Sequence, residues 1–396
     1  MYHLKICPQK LGENVSLVTI KKMCVRHKMK FFRQLLAAPA AISLLVGSVE
    51  VKADDFATTT ALSGEANFTY GQASIEDNPN HDLHNVYSYT INSTTSFSGK
   101  DALKISFQTG SSAADTRLWT DSTVIGDSTL KVSNLYYTAP ITDDLLFAIG
   151  PKFEMDALVS TTTSSYSNDG LFNGWWYGPN NISNHPKDGS PGFALAYIND
   201  SGFNAGVSHI NVDAGNSNKG INNADSDQMT TFSMGYDGEI WGTGLIYTLY
   251  DDPSALFVNV YDENGVQMTG AVMGSPVFIG TGAYWNVNDK LDISVGLDFL
   301  EFDYQNYDVA KVYSIGADYD LGPGGTLSAG VFTVPSYDTA TGAQDNAGTA
   351  YEVYYNWDIT DNISVKPMIM LHELDSSGTI EWADEAIMAL ETSYSF

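Results

Sequence analysis

Histidines and carboxylates could hold a metal or move a proton, but their spacing in this chain favours neither. Beyond residue 53 the histidines are His81, His84, His185, His209 and His372. Only His81 and His84 lie close together, three apart in a stretch of Asp and Asn, which reads as solvated surface rather than a ligand pair. Asp225 and Asp227 lack the ligand spacing of a calcium loop. No HExxH, GxSxG or phosphate-binding glycine loop occurs. Ser208 beside His209 is too little for a nucleophile and its base without a third, orienting group. The sequence therefore predicts no enzyme, no metal site and no cofactor. Binding chemistry remains. Phe172, Trp175, Trp176 and Tyr177 stand beside Asn173, Asn180 and Asn181. Aromatic faces next to amides suit a sugar ring, but they suit better anchors that pin their own segment to a wall or sit at a membrane interface. Lys104, Lys131, Lys152 and Lys366, with Glu65, Glu154, Asp292, Asp298, Glu352 and Glu391, fall within alternating segments. What these charges do depends on the elements that carry them.

The start of the chain sets the compartment. Residues 29–53 have the parts of a secretory signal peptide: Lys30 and Arg33 at the head, an apolar run over 35–46, and small residues for cleavage at Ala53. Residues 1–28 are basic, lack periodicity and hold both cysteines, Cys7 and Cys24. They read as an upstream extension outside the fold, which leaves 54–396 as the structural domain. Removing 1–53 takes nine of the 19 Lys and Arg and two of the 47 Asp and Glu, leaving 10 against 45 and a net charge of −35. So acidic a chain is no nucleic-acid binder. An aromatic content of 12% and a hydrophobic content of 43% are too rich for a disordered one.

Period-two alternation dominates the remainder. Segments 60–70, 86–97, 102–110, 129–138, 145–154, 192–199, 203–212, 229–236, 240–250, 276–285, 291–302, 309–319, 327–334, 349–357, 363–372 and 386–396 read as sixteen strands. In 291–302, Leu291, Ile293, Val295, Leu297 and Phe299 alternate with Asp292, Ser294, Gly296 and Asp298. The connections after even-numbered strands are short and built of turn formers. Those after odd-numbered strands are mostly long, with 303–308 the short one. Sorting by parity is what a transmembrane antiparallel β-barrel requires, with turns on the periplasmic side and loops outside. Pro367 predicts a bulge in the fifteenth strand, because it cannot donate to the ladder. The face of the tenth strand is open between Val277, Ile279 and Trp285 on one side and Phe278 and Tyr284 on the other. A hairpin over 256–271, turning at Asn264-Gly265, reads as a projection outside the wall.

The last strand carries Met388, Leu390, Tyr394 and Phe396 on one face, and Ala389, Glu391, Ser393 and Ser395 on the other. This ending resembles the closing strand of bacterial outer-membrane proteins. There a terminal Phe with an aromatic two residues earlier, here Phe396 and Tyr394, is the signal read by the barrel assembly machinery. Together with the leader MKFFRQLLAAPAA and the acidic sixteen-strand pattern, the chain resembles porins of marine unicellular cyanobacteria, relatives of the carbohydrate-selective porins. It departs from many of them in having no surface-layer-homology domain between residue 53 and the first strand. The resemblance implies a homotrimer, contact with outer-membrane lipid and lipopolysaccharide, and a third loop (155–191) folded inward to narrow the pore.

The expected function is passive diffusion of small hydrophilic solutes (ions, sugars or nutrient anions) through a water-filled lumen. A surface receptor or adhesin barrel with a plugged lumen is the alternative. Alternation places those four lysines and six carboxylates in the lumen, an excess that favours cations weakly. Lys104, Lys131 and Lys152, from three consecutive strands, would favour anions if they formed a ladder at the narrowest point.

Overall fold

The computed structural model describes residues 59–75, 82–111, 129–153, 161, 163–166, 170–171, 190–211, 228–251, 277–301, 310–337, 344–374 and 384–396. Sixteen strands run in order: β1 Thr59–Ile75, β2 His84–Ser96, β3 Ala102–Gly110, β4 Lys131–Pro140, β5 Leu145–Phe153, β6 Ser190–Ile198, β7 Phe203–Asn211 and β8 Gln228–Asp237. They continue as β9 Trp241–Asp251, β10 Val277–Asn286, β11 Leu291–Glu301, β12 Ala310–Asp320, β13 Thr326–Tyr337, β14 Gln344–Thr360, β15 Ile363–Leu374 and β16 Glu385–Ser395. Each pairs antiparallel with its neighbours in sequence, and β1 pairs with β16, so the sheet closes on itself. Closure removes both edges.

Alternation gives the wall two faces. Ile315 is 59% exposed and Ile369 is 50% exposed, in company with Leu195, Phe232, Leu245, Val331 and Leu390. Trp241 lies opposite Trp285 near the turn end of this face. A broad apolar band with aromatics toward one rim is the surface that a bilayer covers. The other face carries Asn67, Thr69, Ser88, Thr231, Thr248, Asp298, Ser328, Glu352 and Glu391, all buried. This is the interior. In β10, Trp285 faces outward while Phe278 and Tyr284 face in, which settles that strand's register.

The short turns are fixed locally. Between β2 and β3, the Asp101 carboxylate accepts from the Ser98 backbone N–H at 2.8 Å and the Phe97 N–H at 2.9 Å. It also accepts from the hydroxyls of Ser96, Ser98 and Tyr137. Burial alone would raise its pKa, but these donors outweigh it and hold the carboxyl well below the usual carboxylate range.

Two expectations need correction. The ladder at Pro367 holds no bulge: Pro367 pairs in continuous register with Leu390, and the β14 side simply skips Tyr355 and Asn356. One missing N–H thus interrupts the ladder without inserting a residue, and the shift occurs instead between Asp358 and Thr360. Strands β1 and β14 are also longer than their alternation implied, at 17 residues each. The hairpin expected at 256–271 lies outside the described residues, while β9 and β10 pair directly without it.

Candidate functional site: the barrel interior

On one side of the barrel, each of the consecutive strands β8 to β13 carries a glycine or serine facing inward. Gly235 of β8 lies opposite Gly244 of β9, which lies opposite Gly282 of β10. Ser294 of β11 lies opposite Gly316 of β12, which lies opposite Gly330 of β13, followed by Glu352 of β14. A glycine inside a strand weakens it and marks close approach by another chain segment. Here that segment comes from the connection between β5 and β6. A β-carbon on Gly235 or Gly244 would collide with Thr161, one on Gly282 with the Thr163 backbone, and one on Gly316 with the Tyr166 ring.

Hydrogen bonds fix the segment on this track. The backbone N–H groups of Ser165 and Tyr166 donate to Ser294 Oγ at 2.9 and 3.0 Å. The Ser165 and Ser294 hydroxyls are 2.9 Å apart. The Tyr166 hydroxyl then donates to Glu352 Oε1 at 2.8 Å. Gly170 follows, so close to the Glu352 carboxylate that any β-carbon would overlap it. Leu171 is fully buried and shares an apolar cluster with Tyr166, Phe332, Tyr354, Met368, Met370 and Ile387. From residue 161 to 166 an extended chain reaches about 17 Å, which spans roughly four strand spacings along the wall. The segment runs across the strands rather than along them.

The carboxylates expected in the lumen are at very different depths. Asp298 is 2% exposed, Glu352 1% and Glu391 1%, whereas Asp292 is half-buried and Glu65 exposed. Lys366 Nζ is 3.1 Å from Glu391 Oε1, and Thr69 donates to the other oxygen at 2.9 Å. This ion pair ties β15, β16 and β1 across the closing seam. Asp318, which sequence reasoning passed over, accepts from Ser328 Oγ at 2.5 Å.

The lysines of β3 to β5 do not share a row. Lys104 is opposite Tyr136, donates to its hydroxyl at 3.2 Å and lies over its ring. Lys131 is opposite Gln108, beyond a shift in the ladder, and is exposed. Four residues of strand, about 13 Å, separate those two heights. Lys152 is opposite Leu135, at a shift in the β4–β5 ladder between Leu135 and Tyr137, and so is off the row of Lys104 and Tyr136. Glu154, Phe172, Trp175, Trp176 and Tyr177 lie outside the described residues. No group of three metal-ligating side chains occurs among the described residues.

At the seam, Phe396 exchanges both backbone hydrogen bonds with Gly64, at 3.1 and 3.0 Å, and its ring covers that glycine. Tyr394 packs edge-on against Phe68, with centroids 6.0 Å apart.

No family model and no curated protein matches the sequence. Solved structures do match. OprB of Pseudomonas putida is similar at a TM-score of 0.61 and 14% identity, covering 86% of this chain and 94% of that one. OmpT of Vibrio cholerae, in a form lacking loop L8, matches at 0.57 and 13%, covering 86% of this chain and all of that one. A variant of the Rh. blastica porin matches at 0.52 and 15%, covering 85% and 100%. At such identities the likeness is one of fold: this chain has the closed sixteen-strand barrel found in outer-membrane porins.

Proposed function

We propose that the chain forms a water-filled channel through the outer membrane, by which small hydrophilic solutes diffuse passively and without chemistry. One observation carries the reading: sixteen strands close with an apolar face outward and a polar face inward. A barrel of that strand number has more circumference than its own side chains can fill. The fold shared with OprB and the Rh. blastica porin supports it. In this reading residues 29–53 direct export, Tyr394 and Phe396 present the closing strand to the assembly machinery, and three copies associate in the membrane. Lipid and lipopolysaccharide contact the outer face. The connection 155–191 narrows the lumen, a role supported by the seating of Thr161, Thr163, Tyr166 and Gly170 against interior positions.

Liposome swelling tests the proposal. Vesicles carrying the purified barrel should swell in neutral sugars at rates that fall with sugar size. Vesicles that do not swell in any of them, with the barrel folded, would favour a plugged receptor.

A further inference from the structure

We infer that the segment carrying Thr161, residues 163–166, Gly170 and Leu171 is a charge screen, which keeps the wall charge beneath it away from the passage. Resting on the channel reading, the inference assigns that segment a part in choosing between cations and anions. Glu352 is the clearest case. Its carboxylate holds the Tyr166 hydroxyl, lies beneath Gly170 and is sealed by the apolar cluster around Leu171. Asp318 is two residues along β12 from Gly316, on which the Tyr166 ring rests, and is buried against Ser328. Glu352 ends the track that the segment covers, so lifting the segment would bare it.

Charge acts on a permeating ion where the wall is close and wet. In water at physiological salt a wall charge is felt over roughly 8 Å, and selectivity is set by the charges lining the narrow part. A covered carboxylate, engaged by a hydroxyl of the segment itself, acts weakly on an ion in the passage. Uncovered, Glu352 would line it. The seated segment therefore makes the channel narrower and less cation-selective than the bare barrel. The glycine track makes the seat specific, because a side chain at Gly282 or Gly316 would occupy the space the segment fills.

The test uses Tyr166→Ala to release the segment and a removable tie to restore it. Ser165 and Ser294 hydroxyls at 2.9 Å sit where a cysteine pair could bridge, and the chain's own cysteines, Cys7 and Cys24, precede the barrel. The variant Tyr166→Ala, Ser165→Cys, Ser294→Cys is reconstituted in planar bilayers and compared oxidised and reduced. Because both states are the same folded protein, a folding defect cannot mimic the result. Reduction should raise conductance and move the reversal potential in a potassium chloride gradient toward cations. Adding Glu352→Gln should diminish the reversal-potential shift while leaving the rise in conductance. An unchanged reversal potential on reduction, or a shift indifferent to Glu352→Gln, overturns the screen. Absence of conductance in both states overturns the channel reading beneath it.

Discussion

Two parts of the interior wall carry charge in opposite ways. On β11 to β16, Asp298, Asp318, Glu352, Glu391 and Lys366 are buried, and the contacts of Asp318, Glu352 and the Lys366–Glu391 pair knit strands and segment together. On β2 to β4, Lys104 and Lys131 stand among Asn92, Ser106, Gln108 and Asn134, and no carboxylate faces inward among the described residues of those strands. The first wall uses charge to hold the structure, and the second presents it to the lumen. Net charge therefore says little about the passage: the chain beyond residue 53 carries −35, yet its most deeply placed carboxylates are spent on partners.

Removing one charge from each wall should break the symmetry between them. Lys366→Met strands Glu391 in a buried site, which costs about 3–5 kcal/mol. Unfolding in denaturant, followed by the heat-dependent gel shift of the barrel, should show that loss. Lys366→Met with Glu391→Leu should recover most of it, because an apolar pair of similar volume suits a buried site. A cost equal in the single and double variants would argue against the pair as the cause. Gly282→Val overfills the track and should cost about 1–3 kcal/mol, with a change in conductance, since the segment must move away. Unaltered stability and conductance would mean that the glycine seat is not needed.

Asp101 sharpens the comparison from outside the membrane. Its folded pKa is depressed below the unfolded value of about 4. Its stabilisation is therefore fully present above that value and is lost as pH falls through the folded one. Asp101→Asn should weaken the β2–β3 turn at neutral pH by roughly 1–3 kcal/mol and flatten the acid limb of the stability profile. An acid limb identical to the parent's would assign that sensitivity to other carboxylates. Smallest of all, Lys104→Gln should shift stability by under about 1 kcal/mol, since its site is half-open to the lumen. A loss as large as that of Lys366→Met would erase the distinction between the two walls.

How far these features could be read in advance follows from what constrains each residue. Strands such as β11 must put apolar groups in lipid at every second position, so Leu291 to Phe299 display the period plainly. The ends of β1 and β14 went unread because Gly71, Gln72, Gly348 and Asn346 carry no alternation once the strand leaves the apolar band. Glu352, Asp298 and Glu391 were legible as inward-facing, but their burial was not, because it depends on a segment distant in sequence. Tyr166 sits in a run of Ser and Thr with no pattern to mark it. The trace it left was on the other side of the contact, in mid-strand glycines at 235, 244, 282, 316 and 330 that serve no turn.

The central claim is that this barrel is an open channel, and single-channel recording on the parent protein in planar bilayers tests it most directly. The predicted record shows discrete current steps whose size rises in proportion to salt concentration. Folded, heat-modifiable barrels that insert and pass no current would contradict it.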